Sequence, residues 1–478
     1  MNTRCVNQND LGSLQVHHSR YFVSGGLRSV GCCSYFLSDQ SVQKSRLAYI
    51  WTANDAGIAR SEGFGLVHKL YFFNKISTNT SFLCKIEFRS QDVLFSLKDF
   101  TMNLGIYLHI PYCLHKCGYC DFNSHPENRE EASKYVDALL QELKAYSRSL
   151  RDYSIPTLYM GGGTPTLLPP SQLKRILLTV FQNFDLTPDC EITIEANPAT
   201  IKLQTLREIR SAGYNRISIG VQSFDEKELR LLERVHSVEE IHSTVQRARS
   251  ANFENLSMDL MFALPGQTNE KWQSHLKHAI AKNPDHLSTY NLTIEPATAF
   301  NKLHEKGKLH LPNEDVQFEM YETAIKTLEG AGYQQYEISN FSKPGRESKH
   351  NINYWNNGEY IGVGAGASSY LKGERFKNTP LPGSYIREIR AKENAVETRE
   401  RLEPMHAMGE TLMLGLRLLK GISIDVFENR FQVSFQKVYG KVLDSLVQQE
   451  LITFNQNRIA LSRKGLFLAD SVILKFLA

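Results

Sequence analysis

Short apolar stretches alternate regularly with amphipathic stretches from Leu104 to about residue 300. The apolar, β-rich stretches predict strands at 104–110, 155–160, 191–196, 216–221, 256–261 and 286–292. Between them, a helical period predicts helices near 130–148, 171–182, 200–212, 226–250 and 269–281. Strands that alternate with helices form right-handed βαβ units around a parallel sheet. The pattern therefore predicts an α/β fold, a partial (β/α)6 barrel whose chemistry lies on the loops after the strands.

The segments on either side of this barrel differ from it. Residues 1–102 show no sustained period, and Met102 directly precedes the first predicted strand. We expect this segment to be either a mis-assigned start upstream of Met102 or a poorly structured extension. Residues 301–400 combine one helix (313–331) with a segment rich in Gly, Asn and Tyr. Residues 401–478 predict a mainly helical, winged-helix-like domain that includes a hairpin, 451–454 with 458–461.

The four predicted parts are therefore 1–102, a core barrel at 103–300, a barrel-capping segment at 301–400 and a C-terminal domain at 401–478. Charge is nearly balanced along the chain, since 55 Lys and Arg minus 51 Asp and Glu give +4. This balance argues against a nucleic-acid partner bound through a positive field. No apolar run reaches the 18 or so residues of a membrane span, and no signal peptide is recognisable. We therefore predict a cytoplasmic protein.

Three of the eight cysteines form a tight cluster, Cys113, Cys117 and Cys120, in the spacing C-x3-C-x2-C after the first predicted strand. Thiolates are soft ligands that select zinc, copper(I) or iron–sulfur clusters. A zinc site would need a fourth ligand, for which His109, His115 and His125 are candidates. A [4Fe–4S] cluster held by three cysteines would leave one iron free to bind a chelating substrate. The spacing favours the iron–sulfur hypothesis.

Glycine and polar residues follow the next strands. Gly161-Gly162-Gly163-Thr164-Pro165 comes after the second strand and is not a Walker loop, because no Gly-Lys-Ser/Thr follows. Taken alone, it is either a ligand loop or a plain tight turn. Polar side chains at the ends of later strands are either ligand contacts or a buried salt-bridge set. A second run, 362–367, lacks the βαβ context of a dinucleotide site, so we interpret it as loop packing.

The cysteine spacing resembles the signature of the radical SAM superfamily. The flanking residues, Tyr107-Leu-His109-Ile-Pro111-Tyr and Cys120-Asp-Phe122-Asn, resemble the group of oxygen-independent coproporphyrinogen III oxidases and HemW-type heme chaperones. The resemblance extends over about residues 104–470. It implies a radical SAM barrel in which the three cysteines hold a [4Fe–4S] cluster and S-adenosylmethionine chelates the fourth iron. The residues that match its S-adenosylmethionine site are Tyr107, Tyr119, Gly162, Gly163, Thr164, Glu195, Gln222, Arg234 and Asp259.

Three features favour the chaperone branch of this group. Phe122 stands at the position where the oxidases of this group carry a fourth cysteine. The N-terminal Arg-Tyr-Thr-Ser-Tyr-Pro pattern of those oxidases is also absent from this sequence. In addition, His350-Asn351-x-x-Tyr354-Trp355 resembles the heme-binding motif of the chaperones. An imidazole can ligate heme iron, and aromatic rings can pack on a porphyrin. Ser368 stands where relatives often carry His, which leaves a second heme contact unassigned.

The resemblance thus implies a chaperone that binds heme through His350 and delivers it to apo respiratory hemoproteins. It further implies an electron donor to the cluster, and it assigns no catalytic residue. The alternatives are an oxygen-independent coproporphyrinogen III oxidase and an interaction protein that acts through its C-terminal module. Peripheral membrane contact stays open, although no basic amphipathic helix favours it.

Overall fold

The structure is a computed structural model and describes residues 68–72, 84–88 and 102–477. The chain divides into two compact units, of which the second contains residues 103–478. In the first unit, strands His68–Phe72 and Cys84–Phe88 pair antiparallel. The expectation of a mis-assigned start or a poorly structured extension otherwise falls outside the described residues.

The second unit is built on one sheet of twelve strands. In chain order they are β1 Met102–Ile110, β2 Tyr153–Gly162, β3 Asp185–Ala196, β4 Arg216–Gln222, β5 Asn255–Phe262, β6 His286–Asn291, β7 Gln334–Glu337, β8 Asn340–Ser342, β9 Tyr360–Val363, β10 Ser368–Leu371, β11 Glu374–Asn378 and β12 Val396–Arg401. Their spatial order is β7-β8-β6-β5-β4-β3-β2-β1-β9-β10-β11-β12. The six predicted strands are therefore adjacent and in sequence order.

The α/β prediction is confirmed, because neighbours from β2 to β6 pair in parallel. The sheet is nevertheless wider than the sequence predicts. Strand β9 adds a seventh parallel position beside β1, and antiparallel strands extend both edges. These added strands are mostly three to five residues long, too short for an alternation pattern to distinguish them from loops.

Helices connect and cover these strands. They span Arg129–Ser147, Pro170–Asn183, Leu203–Ala212, Glu226–Leu231, Val238–Ser250, Asn269–Ala281, Ala299–Glu305, Glu314–Gly330, Lys349–Trp355, Pro382–Lys392, Pro404–Gly415, Ile424–Phe431, Phe435–Gln448, Arg463–Phe467 and Ala469–Leu474. Two short 3₁₀ turns, Pro165–Leu167 and Pro198–Thr200, follow β2 and β3. Within the described part of the chain, no helix is long and apolar enough to cross a membrane.

The prediction of one helix over 226–250 is wrong, since the chain forms two helices there. The first ends at Leu231, and Glu233 adopts φ +56°, a left-handed conformation that cannot continue a helix. A capping box then starts the second helix, because Ser237 and Glu240 exchange side-chain and backbone hydrogen bonds. The break places Arg234 on a loop, where its side chain can turn back toward the strand ends.

The C-terminal part contains a three-stranded antiparallel sheet of Ile422–Ser423, Arg458–Leu461 and Ile452–Asn455. The predicted hairpin is present, with its first strand one residue later than expected. Backbone contacts tie this part to β7, where Leu419 N–H donates to the Tyr336 carbonyl at 3.1 Å. The described helices and hairpin agree with the predicted winged-helix-like architecture.

The capping box gives a test of this local structure. We expect Ser237→Ala to destabilise the fold by about 1 kcal/mol, because the Glu240 amide at the helix start loses the Ser237 hydroxyl as its acceptor. Ser243→Ala is the matched control, since this serine lies inside the same helix and bonds only to the Glu240 carbonyl. Urea denaturation followed by circular dichroism measures both. Equal midpoints for the two variants would contradict the account.

Candidate functional site

The three cysteines line one cavity of about 1020 Å³ at the carboxyl ends of the parallel strands. Cys113 ends a short strand, Tyr112–Cys113, that pairs in parallel with His125–Pro126. This pairing joins the two ends of the loop that carries the cysteines. Cys113, Cys117 and Cys120 are all partly exposed free thiols. They are therefore accessible from the cavity and not tied into disulfides.

Neighbouring groups approach the thiols without filling their coordination positions. Thr164 Oγ1 lies 3.6 Å from Cys113 Sγ, and Arg234 Nη1 lies 3.8 Å from Cys117 Sγ. Burial raises the pKa of Cys113 and raises that of Cys120 to about 12. Because a metal ligates the thiolate, binding of a metal or cluster here must release protons.

The donor set fits a multi-iron cluster better than a single zinc ion. Among the described residues, no three metal-ligating side chains are placed to share one ion. The three histidines proposed as a fourth zinc ligand have other partners. His109 contacts the Tyr107 hydroxyl and the Asn123 backbone carbonyl, and His115 pairs with Glu233 at 2.8 Å. His125 contacts the Asn123 side-chain carbonyl at 3.2 Å. A [4Fe–4S] cluster takes one thiolate at each of several irons, so its ligands need not converge on one point.

The glycine run fits against the cysteine loop so closely that side chains are excluded. A Cβ on Gly163 would lie 2.5 Å from the Tyr112 carbonyl oxygen, and one on Gly162 would lie 2.6 Å from the His109 ring. Gly162 also has φ +113°, which favours glycine. The Gly163 amide donates to the Ile110 carbonyl at 2.7 Å, and the Thr164 amide donates to Tyr112 at 2.7 Å. The run is therefore a tight connection between β2 and the cysteine loop.

Two carboxylates lie on β3 and β5 and are partly exposed to the cavity. Glu195 accepts hydrogen bonds from the Tyr159 hydroxyl at 2.8 Å and from the Gly162 amide at 3.1 Å. Burial, reinforced by the nearby Asp259, raises the pKa of Glu195 to about 7. Asp259 accepts from Ser218 at 3.1 Å and Ser288 at 2.7 Å, and burial raises its pKa as well. These side chains offer hydrogen-bond acceptors inside an otherwise desolvated site.

The remaining predicted residues lie beside the cysteines. Arg234 donates to the Gly220 carbonyl at 2.9 Å, and its Nε has no hydrogen-bond partner among the described residues. Gln222 adopts φ +65° at an irregularity in the pairing of β4 with β5, which turns it out of the strand. Tyr119 packs edge-on against Phe300 with ring centroids 6.1 Å apart.

The structure brings most of the predicted S-adenosylmethionine residues together with the cysteines. Those that line the large cavity are Tyr119, Gly162, Gly163, Thr164, Glu195, Gln222, Arg234 and Asp259. Tyr107 does not line it; this residue borders a small neighbouring void of about 20 Å³, which shares Gly162 and Phe122 with the large cavity. Tyr107 contacts His109, so it reaches the glycine run through that ring.

His350 lies apart from the cavity, on helix Lys349–Trp355, and is completely buried. Its Nδ1 contacts Thr157 Oγ1 at 2.9 Å and its Nε2 contacts the Tyr354 hydroxyl at 3.0 Å. Its ring stacks on Tyr159 at 5.2 Å. Burial, together with the charge of Arg216, lowers the pKa of His350 to about 3, so the imidazole is neutral. Both ring nitrogens are engaged in this conformation.

Sequence reasoning missed two parts of the site. His109 and Asn123 connect β1 and the cysteine loop to the segments before β10 and after β11, because the Asn123 amide donates to the Ala365 and Pro380 carbonyls. Both residues stood within the quoted motifs, where His109 was considered only as a candidate zinc ligand and Asn123 was given no role. The cavity wall also includes Arg417 and residues 466–471, which come from the C-terminal part. No local motif marks these residues, since only the tertiary fold brings them to the cavity.

Comparison with known proteins first defines the class. The sequence model of the radical SAM superfamily matches residues 107–279, and that of the HemN C-terminal domain matches residues 402–468. The structure of coproporphyrinogen III oxidase (HemN) from Escherichia coli, a radical SAM enzyme, superposes with a TM-score of 0.69 at 25% identity. This match covers 81% of this chain and 93% of that chain. The fold and the cysteine-lined cavity are those of a radical SAM protein.

Individual relatives narrow the class to one family. Heme chaperone HemW of Lactococcus lactis is 38% identical over 78% of this chain and 96% of the relative, and that of Bacillus subtilis is 37% identical over 78% and 98%. A zebrafish (Danio rerio) relative, named radical S-adenosyl methionine domain-containing protein 1, mitochondrial, is 35% identical over 77% and 86%. The chain belongs to the HemW family of radical SAM proteins.

Proposed function

We propose that this protein is a heme chaperone that binds a [4Fe–4S] cluster, S-adenosylmethionine and heme. The observation that carries the proposal is its identity to relatives named heme chaperone HemW over nearly their whole length. The proposed acceptors are apo respiratory hemoproteins, with a separate electron donor to the cluster. We assign no nucleic-acid partner. The proposed location is the cytoplasm. The competing location is the mitochondrion, because the zebrafish relative is named as mitochondrial. The location of a fluorescent fusion of the full chain distinguishes the two.

Cys113, Cys117 and Cys120 would hold the cluster, which supplies an iron able to chelate the amino and carboxylate groups of S-adenosylmethionine. The amides of the glycine run are bonded within the protein, so the run would offer backbone carbonyls to the methionyl ammonium, with Thr164 beside Cys113. Glu195 and Asp259 would accept hydrogen bonds from an ammonium or from ribose hydroxyls. Arg234 and Tyr119 would close the site beside Cys117. Tyr107 would act indirectly, through His109.

His350 is the proposed heme ligand. Its neutral imidazole is in the protonation state that ligates iron. To reach heme, the ring must leave Thr157 and Tyr354, so binding through this residue requires helix Lys349–Trp355 to open locally. Heme binding to His350 is therefore expected to be slow compared with diffusion.

An anaerobic heme titration of cluster-reconstituted protein, followed by Soret absorbance, tests this assignment. We expect the wild type to saturate near one heme per chain and His350→Ala to lose that binding. The matched control is His286→Ala, because His286 is equally buried between a hydroxyl on the neighbouring strand, Ser257 at 2.8 Å, and the Tyr336 hydroxyl at 2.9 Å. Loss in both variants, or in neither, would contradict ligation by His350.

The pKa of Glu195 gives a second test. Because its folded pKa is about 7, the ionised carboxylate predominates only above that pH. We expect affinity for S-adenosylmethionine to fall roughly tenfold for each pH unit below 7, since protonation removes the charge that holds an ammonium or hydroxyl group. Calorimetry between pH 5.5 and 8 measures the dependence.

Glu195→Gln should bind more weakly and lose this component of the pH dependence. Glu142→Gln serves as the control, because Glu142 is also buried with a pKa raised to about 7 but does not line the cavity. The assignment would be wrong if Glu195→Gln kept the wild-type pH profile.

The second candidate function is an oxygen-independent coproporphyrinogen III oxidase, favoured by the structural similarity to HemN. Phe122 lines the cavity beside Cys120 and occupies the position where the oxidases of this group carry a cysteine, which disfavours this candidate. Turnover of coproporphyrinogen III by reduced, fully reconstituted protein would support this candidate over the chaperone. Absence of product under those conditions would exclude it.

A further inference from the structure

The large cavity has a second wall that contains neither a cysteine nor a residue of the predicted S-adenosylmethionine site. We define this far wall as the cavity-lining residues of 314–321, 338–339, 417 and 466–471. Ligand cavities commonly measure about 300–1,000 Å³, so this cavity of about 1020 Å³ lies at the upper end of that range.

Part of the far wall is apolar and exposed. Phe318 is 46% exposed and Leu468 is 47% exposed. The rings of Phe318 and Phe467 lie 4.4 Å apart, and Tyr321 packs edge-on against Phe467 at 5.7 Å. Exposed large apolar side chains that share a cavity indicate a ligand surface. The planes of Phe318 and Phe467 meet at 52°, so one ring can stack on a flat apolar molecule while the other contacts its edge.

Arg417 is the one Arg or Lys of the far wall among the described residues. Its guanidinium lies 4.4 Å over the Trp355 ring, which fixes its plane. Its nearest carboxylate oxygen, on Glu337, is 3.6 Å from Nη2, longer than a hydrogen bond, and its Nε has no hydrogen-bond partner in the described part of the chain. The guanidinium is therefore held in place by the Trp355 ring and has an Nε–H group that can donate a further hydrogen bond.

The charges around Arg417 are arranged by depth. The Arg417 side chain is 13% exposed, whereas Glu314, Asp315 and Asp470 of the same wall are exposed. The acidic residues of the far wall are therefore exposed to solvent, which screens their repulsion of an anionic ligand. Arg417 is largely shielded from solvent, so its attraction to an anionic group is screened less.

We propose that the far wall binds a planar, apolar ligand that carries carboxylates, with Arg417 pairing with one carboxylate and the Phe318–Phe467 pair contacting the plane. A guanidinium fork matches a carboxylate bidentately, which a lysine does not. This inference rests on the proposed function, because heme with its two propionates is such a ligand. It also connects the His350–Trp355 motif to the cavity, since Trp355 supports Arg417. His350 does not line the cavity, so for both residues to act on one heme the helix must open at His350 while its Trp355 end stays in place.

The test compares heme with heme dimethyl ester, in which both propionates are uncharged, on cluster-reconstituted full-length protein. We expect the wild type to bind the ester about 10- to 100-fold more weakly than heme, the usual effect of losing a charge-assisted hydrogen bond. Arg417→Gln should weaken heme by a similar factor and leave the ester nearly unchanged. Arg417→Lys should lose most of the preference, because it keeps the charge without the fork.

Arg399→Gln is the matched control, since Arg399 also stacks on an aromatic ring, Phe376 at 5.0 Å, and pairs with Glu374, but does not line the cavity. It should keep the wild-type preference for heme. Equal binding of heme and ester by the wild type would overturn the role of Arg417 while leaving the proposed function intact. Absence of any heme binding by the wild type would instead overturn the proposed function. If Arg417→Gln does not fold, the comparison of heme with heme dimethyl ester on the wild type still tests whether the site requires a carboxylate.

Discussion

The close contact between the glycine run and the cysteine loop is the constraint on which the site depends. Gly163 lies directly against the Tyr112 carbonyl, and two backbone hydrogen bonds join the ends of β1 and β2 there. This contact fixes Cys113 beside Thr164 and turns the rest of the loop toward Arg234. Any side chain at Gly163 would separate the two strand ends, and the thiols would no longer face the carboxylates of β3 and β5.

Burial sets the chemistry of that site. The carboxyl groups of Glu195 and Asp259 are desolvated, so their pKa values lie above the ordinary range although each accepts hydrogen bonds. Such groups, partly enclosed in the cavity wall, interact with a bound ammonium or hydroxyl more strongly than they would in open water. The same desolvation keeps His350 neutral in the barrel interior. The protein thus holds carboxylate acceptors in the cavity wall and a neutral imidazole in the neighbouring core.

Much of the fold and of the cluster site could be predicted from the sequence because both depend on local patterns. The six long parallel strands carry their own hydrophobic signal, and the cysteines and glycines lie within short motifs. The short edge strands and the burial of His350 were not predictable, because each depends on contacts distant in sequence. The break at residues 232–237 has a local signal, the Ser237-x-x-Glu240 capping box, which hydrophobic periodicity alone does not reveal. Residue Arg417 and the segment 466–471 reach the cavity only through the packing of the C-terminal part on β7.

The central claim is that three thiolates and the strand-end cradle form a cluster site that S-adenosylmethionine completes. Electron paramagnetic resonance of the reduced, anaerobically reconstituted protein tests it most directly. The account predicts about four irons per chain and a cluster signal that changes when S-adenosylmethionine is added. Bound zinc in place of iron, or a cluster signal that S-adenosylmethionine leaves unchanged, would contradict it.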